Sequence, residues 1–285
     1  MNHSFKQFEL HDFLLAGLSK LSIAYPTPAQ EQAIPAILRG RDVVVQSQTG
    51  TGKTLAYVLP VLQKIDIASQ ELQALILGPT RELTRQITEV IGDLTMDSGI
   101  DVVLIQGGVD INRQIQRLRR NPQIIVGTPG RVLDLINQEK LTSHTARILV
   151  LDEADTMLEM GFREDIEQII QKLRKDAQMM LFAATLPPKL SGMVKDFMNS
   201  PFRIEINPGE AVPSIDNVYF RARNDGKEAL LLDLVKLYNP YLGIVFVRTK
   251  EQVDDLVTQL RQAGVDAEGL YGDLQRGRRK QVMQR

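Results

Sequence analysis

Val43-Val44-Val45-Gln46-Ser47-Gln48-Thr49-Gly50-Thr51-Gly52-Lys53-Thr54 is an apolar run that opens into a turn with two glycines and closes on a lysine and a threonine. The run of β-branched residues predicts a buried strand. The glycines let the following backbone turn its N–H groups toward an anion at the start of a helix, so the stretch reads as strand, phosphate cradle and helix. In that geometry Lys53 reaches the β- and γ-phosphates of a nucleoside triphosphate and the Thr54 hydroxyl holds Mg²⁺. The general pattern has glycine where this chain has Ser47, which narrows the match to a smaller group of phosphate-loop proteins.

A second stretch completes the chemistry. Ile148-Leu149-Val150-Leu151-Asp152-Glu153-Ala154-Asp155 is another buried strand, this time ending on carboxylates. Asp152 can meet the Mg²⁺ as it emerges from the strand, and Glu153 can orient or deprotonate a water. Each stretch alone has a plain reading, a flexible turn or a solvated acidic loop. The two in this order, each after a strand, point to hydrolysis of a nucleoside triphosphate with Lys53, Asp152 and Glu153 as the catalytic groups and Mg²⁺ as the metal.

At 285 residues the chain has material for one large or two medium domains. It has no cysteine, which excludes a disulfide scaffold, a zinc ribbon and a thiol nucleophile together. No apolar stretch approaches a membrane span, and residues 1–12 carry no signal-like segment, so a soluble, cytoplasmic protein without membrane contact is expected. Its 34 basic and 35 acidic residues leave a net charge of -1, so no global field attracts a polyanion and any nucleic acid must be gripped locally. Basic residues gather at Arg113, Arg117, Arg119 and Arg120, and again at Arg276, Arg278, Arg279, Lys280 and Arg285; each group reads first as a solvated helix face.

Short apolar runs alternate with helical patterns, the mark of crossover units and a mostly parallel sheet. Strands are predicted at Asp42–Gln46, Ala74–Leu77, Val102–Ile105, Ile124–Val126, Ile148–Leu151 and Met179–Phe182. Helices are predicted to begin near Gly52, Thr80, Asn112, Gly130, Arg163 and Pro188. The Pro- and Gly-containing stretch 207–214 reads as a linker between residues 1–206 and 215–285. Beyond it, strands are predicted at Val218–Phe220, Ile244–Val247 and near Val265, with helices at Gly226–Tyr238 and Glu251–Ala263 and a basic helix to the end of the chain. The last helical pattern meets no cap or breaker, so the second unit reads as incomplete.

Taken together, these segments resemble the DEAD-box ATP-dependent RNA helicases, and the resemblance runs along nearly the whole chain. Asp152-Glu153-Ala154-Asp155 is the motif that names that family. The resemblance implies an α/β fold of two RecA-like domains with mostly parallel central sheets flanked by helices, the second incomplete. It implies that Ser47 to Thr54 (Ser47, Gln48, Thr49, Gly50, Thr51, Gly52, Lys53, Thr54) bind ATP, with Thr54 and Asp152 on the metal. Phe5 and Pro26-Thr27-Pro28-Ala29-Gln30 are similar to the family's adenine segment, with Gln30 pairing to the base edge and Phe5 stacking on it; Ser22 and Ile23 replace the usual glycine and aromatic. An amide offers the donor and acceptor side by side that adenine needs.

Pro79-Thr80-Arg81-Glu82-Leu83, Gly107-Gly108 and Thr128-Pro129-Gly130-Arg131 resemble the family's RNA track, and Arg248 and Thr249 its contact in the second domain. Glycine N–H groups, threonine hydroxyls and arginines suit phosphate oxygens, which carry no base identity. Ala183-Ala184-Thr185 stands where the family has Ser-Ala-Thr, the segment that couples nucleotide state to RNA grip, so Ala183 lacks a hydroxyl used there. Tyr271 and Arg276 replace a histidine and a glutamine, and the family's next two motifs, with their arginine fingers, do not occur in the chain. The resemblance therefore implies a monomeric RNA-dependent ATPase and helicase with protein cofactors in addition to RNA, and a chain that binds nucleotide but does not turn it over alone. The alternatives are an ATP-gated RNA clamp, which Ala183 and Arg276 favour, and a DNA translocase or unrelated phosphate-loop ATPase, in which Gln30 and Pro79 to Leu83 have no reason to occur together.

Overall fold

The computed structural model describes residues 4–48, 50–96, 98–206, 216–222, 226–274 and 276–284. The chain divides into two compact units, Met1–Pro213 and Ser214–Arg285. Thr49, Arg285 and the whole of the expected linker 207–214 lie outside the described residues.

The first unit is built on one sheet. Its strands are β1 (Val43–Gln46), β2 (Ala74–Leu77), β3 (Val102–Ile105), β4 (Ile124–Gly127), β5 (Ile148–Leu151), β6 (Gln178–Ala183) and β7 (Phe202–Glu205), in the spatial order β3-β4-β2-β5-β6-β1-β7. Every pairing is parallel, in registers such as Val43 opposite Met180 and Leu77 opposite Leu151. The helices that return the chain are α1 (Asp12–Lys20), α2 (Pro28–Leu38), α3 (Lys53–Gln63), α4 (Arg81–Leu94), α5 (Ile111–Leu118), α6 (Pro129–Asn137), α7 (Ala154–Glu159), α8 (Arg163–Gln171) and α9 (Pro188–Phe197).

Because successive side chains of a strand point to opposite faces, each apolar run serves two cores. Val43, Val45, Ile76, Val126, Val150 and Phe182 pack with residues of α1 to α4, such as Leu14, Ile34, Leu59 and Ile87. Val44, Leu75, Leu77, Ile125, Leu149 and Leu181 pack with residues of α6 to α9, such as Val132, Met157, Ile166 and Met193. Burial on both faces is why the runs read as continuously apolar rather than alternating. β7 escapes that reading: it is an edge strand in which only Ile204 is buried, and Arg203 and Glu205 break the apolar pattern.

The second unit holds α10 (Lys227–Tyr238), α11 (Lys250–Gln262) and α12 (Arg276–Gln284). The segments Val218–Phe220 and Ile244–Val247 and the run near Val265, expected as strands, form no ladder among its described residues. A strand persists only where a neighbour satisfies its N–H and C=O groups, and here Tyr219 and Phe246 stay 93% and 91% exposed. The Val265 N–H instead closes the end of α11 by donating to the Leu260 carbonyl at 2.9 Å, after Gly264 turns left-handed at φ 82°.

Candidate nucleotide and nucleic-acid site

All first-unit candidate motifs except the segment before α2 leave the sheet at the carboxyl ends of its strands, where open α/β sheets bind ligands. The order of strands sorts them. The neighbouring strands β5, β6 and β1 carry the acidic motif, Ala183-Ala184-Thr185 and the phosphate loop; the neighbouring strands β3, β4 and β2 carry Gly107-Gly108, Thr128 to Arg131 and Pro79 to Leu83. One half of the edge holds every described residue expected at nucleotide phosphates or metal. The other half holds every first-unit residue expected at RNA.

The phosphate loop bends through Gly50 and Gly52, whose φ of 87° and 84° lie in the left-handed region that glycine tolerates. Gly52 is the N-cap of α3, so the N–H groups of the first helical turn face the loop. Within it, the Thr51 hydroxyl lies 3.0 Å from Ser47 Oγ and 2.9 Å from the Gln48 carbonyl. Ser47 thus supplies a side-chain oxygen where a glycine could not. Lys53 is buried and folds back so that Nζ donates to the Ser47 carbonyl at 2.7 Å.

The loop is clamped from outside by α2. The Thr27 hydroxyl donates to the Thr51 carbonyl at 2.8 Å, and Gln30 Nε2 donates to the Gly52 carbonyl at 3.0 Å. Gln30 Oε1 also accepts from the Thr27 N–H at 3.0 Å, completing the capping box of α2. Gln30 is therefore only 2% exposed, and one donor and one acceptor position of its amide are engaged inside the protein. Phe5, expected to stack on a base, lies in the core at 3% exposure, edge-on to Phe8 with ring centroids 6.1 Å apart. An aromatic ring that can be enclosed gains more from burial than from a solvent-facing position. A cavity of about 370 Å³ lies beside it, bordered by Phe5, Leu15, Ser22 and Ile23.

Asp152 follows the last residue of β5 and is 3% exposed. Its Oδ1 accepts from the Glu153 N–H at 3.0 Å, and its Oδ2 accepts from the Tyr57 hydroxyl at 2.8 Å. Burial pushes its carboxyl up to about 6, against the pull of the Tyr57 hydrogen bond and the Lys53 charge. Burial also drives the Tyr57 hydroxyl well above the usual tyrosine value, and the Asp152 charge adds to it. Glu153 is half-buried in a left-handed conformation at φ 50°, the N-cap of α7. Thr54 sits in the first turn of α3, three positions before Tyr57. Tyr57 was not foreseen: inside Leu55-Ala56-Tyr57-Val58-Leu59 it reads only as core.

Ala183 ends β6, fully buried, and its carbonyl accepts from the Ser47 N–H at 3.0 Å, so the phosphate loop starts from this strand's last residue. The missing hydroxyl at 183 does not separate the acidic motif from the segment after it. Asp155 Oδ2 accepts from the Ala184 N–H at 3.1 Å, the Thr185 N–H at 2.8 Å and the Thr185 hydroxyl at 3.1 Å.

On the other half of the edge, Thr80 caps α4 by accepting from the Leu83 N–H at 3.2 Å and leaves Arg81 exposed. The Arg81 guanidinium lies against Gly108 so closely that any side chain there would collide with it. Pro129 and Gly130 open α6 after Thr128, and Arg131 Nη1 donates to the Val109 carbonyl at 3.1 Å. Two buried glutamines, absent from the expected site, tie these loops together. Gln106 Nε2 donates to the Arg81 carbonyl and to Thr84 Oγ1, while Gln114 Oε1 accepts from the Gln106 N–H at 2.8 Å. In the second unit Arg248 is exposed, and Thr249 caps α11 with a capping box to Gln252. Lys250 Nζ pairs with Asp273 at 2.6 Å.

Residues 27–192 match the sequence profile of the DEAD/DEAH box helicases, more than half of the chain. This chain belongs to that family. A relative named ATP-dependent RNA helicase CshA, from Limosilactobacillus reuteri, is 42% identical over 280 residues, covering 98% of this chain and 56% of the relative. Among solved structures, a DEAD box protein of the hyperthermophile Methanococcus jannaschii is 32% identical with a TM-score of 0.71, covering 100% of this chain and 77% of that one. S. cerevisiae Dbp5 bound to RNA and ADP BeF3 is 33% identical with a TM-score of 0.87, covering 99% and 72%. The chain spans about half the length of the curated relatives it matches, 56% and 54% for the first two. The DEAD/DEAH box assignment agrees with the all-parallel, helix-flanked sheet of the first unit, a RecA-like arrangement. Among the described residues no helix is long and apolar enough to cross a membrane, and no cluster of three or more His, Asp or Glu side chains is placed to hold a metal alone.

Proposed function

We propose that this chain is the nucleotide-binding and RNA-gripping part of an RNA-dependent ATPase, which couples ATP binding and hydrolysis to local unwinding of a short RNA duplex in the cytoplasm. The observation that carries the reading is the strand order, which gathers the candidate phosphate and metal residues on β5-β6-β1 and the candidate RNA residues on β3-β4-β2 along one sheet edge. Names of relatives support it: one is called an ATP-dependent RNA helicase, and another was solved with RNA and ADP BeF3.

The N–H groups of Gly50 to Thr54 surround the β- and γ-phosphates, and Lys53 exchanges its neutral bond to the Ser47 carbonyl for charge-assisted ones to phosphate. Gln30 holds the cradle in shape through Gly52 and retains one N–H and one lone pair, side by side, for the base edge. The cavity beside Phe5 takes the base. The donor set suits Mg²⁺: a hard cation that keeps its waters needs only Asp152, Thr54 and the substrate phosphates. Bound there, Mg²⁺ supplies charge neutralisation on the transferring phosphoryl group. Glu153, next to the metal carboxylate, orients and deprotonates the attacking water. Arg81, Gly107, Gly108, Thr128 and Arg131 hold one RNA strand by its phosphates; Arg248 and Thr249 are the candidate RNA contacts of the second unit taken by itself, and the segment around 207–214 is the linker. Asp155, gripping Ala184 and Thr185, transmits nucleotide state between the halves, and the protein acts as a monomer with protein cofactors.

A second reading, an ATP-gated RNA clamp, is favoured by Ala183, which offers no hydroxyl. Both readings are separated by measuring ATP hydrolysis and duplex release together, with and without single-stranded RNA, in a protein that contains this chain and the arginine-finger motifs. RNA-stimulated hydrolysis with release is the result expected of a helicase, and Ala183→Ser should raise release per ATP about 2- to 10-fold, the worth of one added hydrogen bond. Hydrolysis with retained RNA supports the clamp. Hydrolysis indifferent to RNA sinks both.

A further inference from the structure

Tyr57 raises a question that its apolar surroundings do not answer. Its ring is fully buried and packs at 5.0 Å from that of Phe182. A phenylalanine would fill the same space. The hydroxyl adds nothing to apolar packing, and a buried hydroxyl is costly unless it is bonded. This one is bonded to Asp152 Oδ2 at 2.8 Å. One side chain therefore reaches the carboxylate assigned to Mg²⁺ from the same helix that carries Thr54, the other group assigned to it.

We infer that Tyr57 is a positioning residue for the metal site: its hydroxyl fixes the plane of the Asp152 carboxylate and so sets the Mg²⁺ dependence of nucleotide binding. The Glu153 N–H holds only Oδ1. A carboxylate held at one oxygen can still rotate about its last bond, whereas donors on two different oxygens define its plane. Each oxygen keeps a lone pair free for the metal or its waters. The donor also has to be neutral. A lysine or arginine in this position would satisfy Oδ2 but repel the cation, while a phenol that stays protonated orients the carboxylate without opposing charge. Placed one turn after Lys53 and Thr54 on α3, Tyr57 locks the acidic loop after β5 to the helix that carries the phosphate loop, across the end of β6.

This inference rests on the nucleotide reading above, and the same titrations test the two separately. ADP binding is measured with Mg²⁺ and with EDTA for the wild-type chain, Tyr57→Phe, Asp152→Asn and the double variant. The wild type should bind ADP more tightly with Mg²⁺. Tyr57→Phe should lose about tenfold of that Mg²⁺-dependent gain, the usual worth of a hydrogen bond to a charged group, with the EDTA affinity unchanged. In the Asp152→Asn background Tyr57→Phe should change nothing further. Equal weakening with Mg²⁺ and EDTA would reveal a packing role and overturn the inference, as would no change, or a loss that persists without the Asp152 carboxylate. Absence of any Mg²⁺ effect in the wild type overturns the metal reading itself, and the inference with it. A fluorotyrosine-labelled wild-type chain needs no substitution: the buried Tyr57 ¹⁹F signal should shift when Mg²⁺ is added to the ADP complex, and a signal that stays put contradicts the role.

Discussion

Asp152 is pulled in two directions. Its place on Mg²⁺ needs a carboxylate, while enclosure at the end of β5 favours the neutral acid, and the balance lifts its pKa from 3.8 to about 6. A carboxyl whose folded pKa is raised is most stabilising below its unfolded value, and the benefit is lost as pH rises through the folded value. At neutral pH Asp152 is therefore a cost to folding, up to about 3 kcal/mol at roughly 1.4 kcal/mol per pKa unit. Asp152→Asn should be more stable than the wild type in urea at pH 7.5, with the gain shrinking as pH falls from about 6 toward 4. A constant difference at all pH values would contradict the account. None of this is legible in the sequence, because the shift arises from burial and is held in check by Tyr57, which lies 95 positions away in the chain.

At the scale of elements, the sequence discloses what depends on local pattern. The six predicted strands of the first unit occur within a residue or so of their expected limits, because their apolar runs have sharp ends and both faces are buried in all but β3, where Val102 and Leu104 are half-buried. The order of those strands, which brings the phosphate loop beside Ala183 and Gly107-Gly108 near Arg81, is a product of long-range pairing that no window of sequence contains. Gln106 and Gln114 are hidden for the same reason: each looks like a surface residue until the loops that need its amide are folded around it. The fit between α2 and α3 is similarly nonlocal. Gly52 has a left-handed φ of 84°, and a Cβ there would stand 2.5 Å from Gln30 Nε2. Gly52→Ala should thus strain the backbone and displace the amide together, costing about 1–3 kcal/mol. A thermal melt should show that loss and a titration at least tenfold weaker ADP binding; a variant with wild-type affinity would mean that the α2 clamp has no part in shaping the cradle.

Across the whole molecule the two units differ in how their apolar surface is used. Both faces of the first sheet are covered, whereas Tyr219, Tyr241 and Phe246 of the second unit are exposed and its described segments form no ladder. Backbone without ladder partners exchanges its amides through low-cost local opening. Hydrogen exchange should find the amides of β1, β2, β4, β5 and β6 protected and those of 218–220 and 244–247 exchanging fast; strong protection there would show that the second unit builds a sheet in solution. The division of the first sheet's edge is the central claim, and one comparison addresses it directly: the ADP and single-stranded RNA affinities of Lys53→Ala and Arg81→Ala, measured on the same chain, RNA without nucleotide. Lys53→Ala should weaken ADP at least tenfold and leave RNA unchanged, and Arg81→Ala should weaken RNA on every sequence, with a shallower dependence on salt, and leave ADP unchanged. If either variant weakens both ligands alike, or if Arg81→Ala leaves RNA affinity intact, the edge is not divided as described.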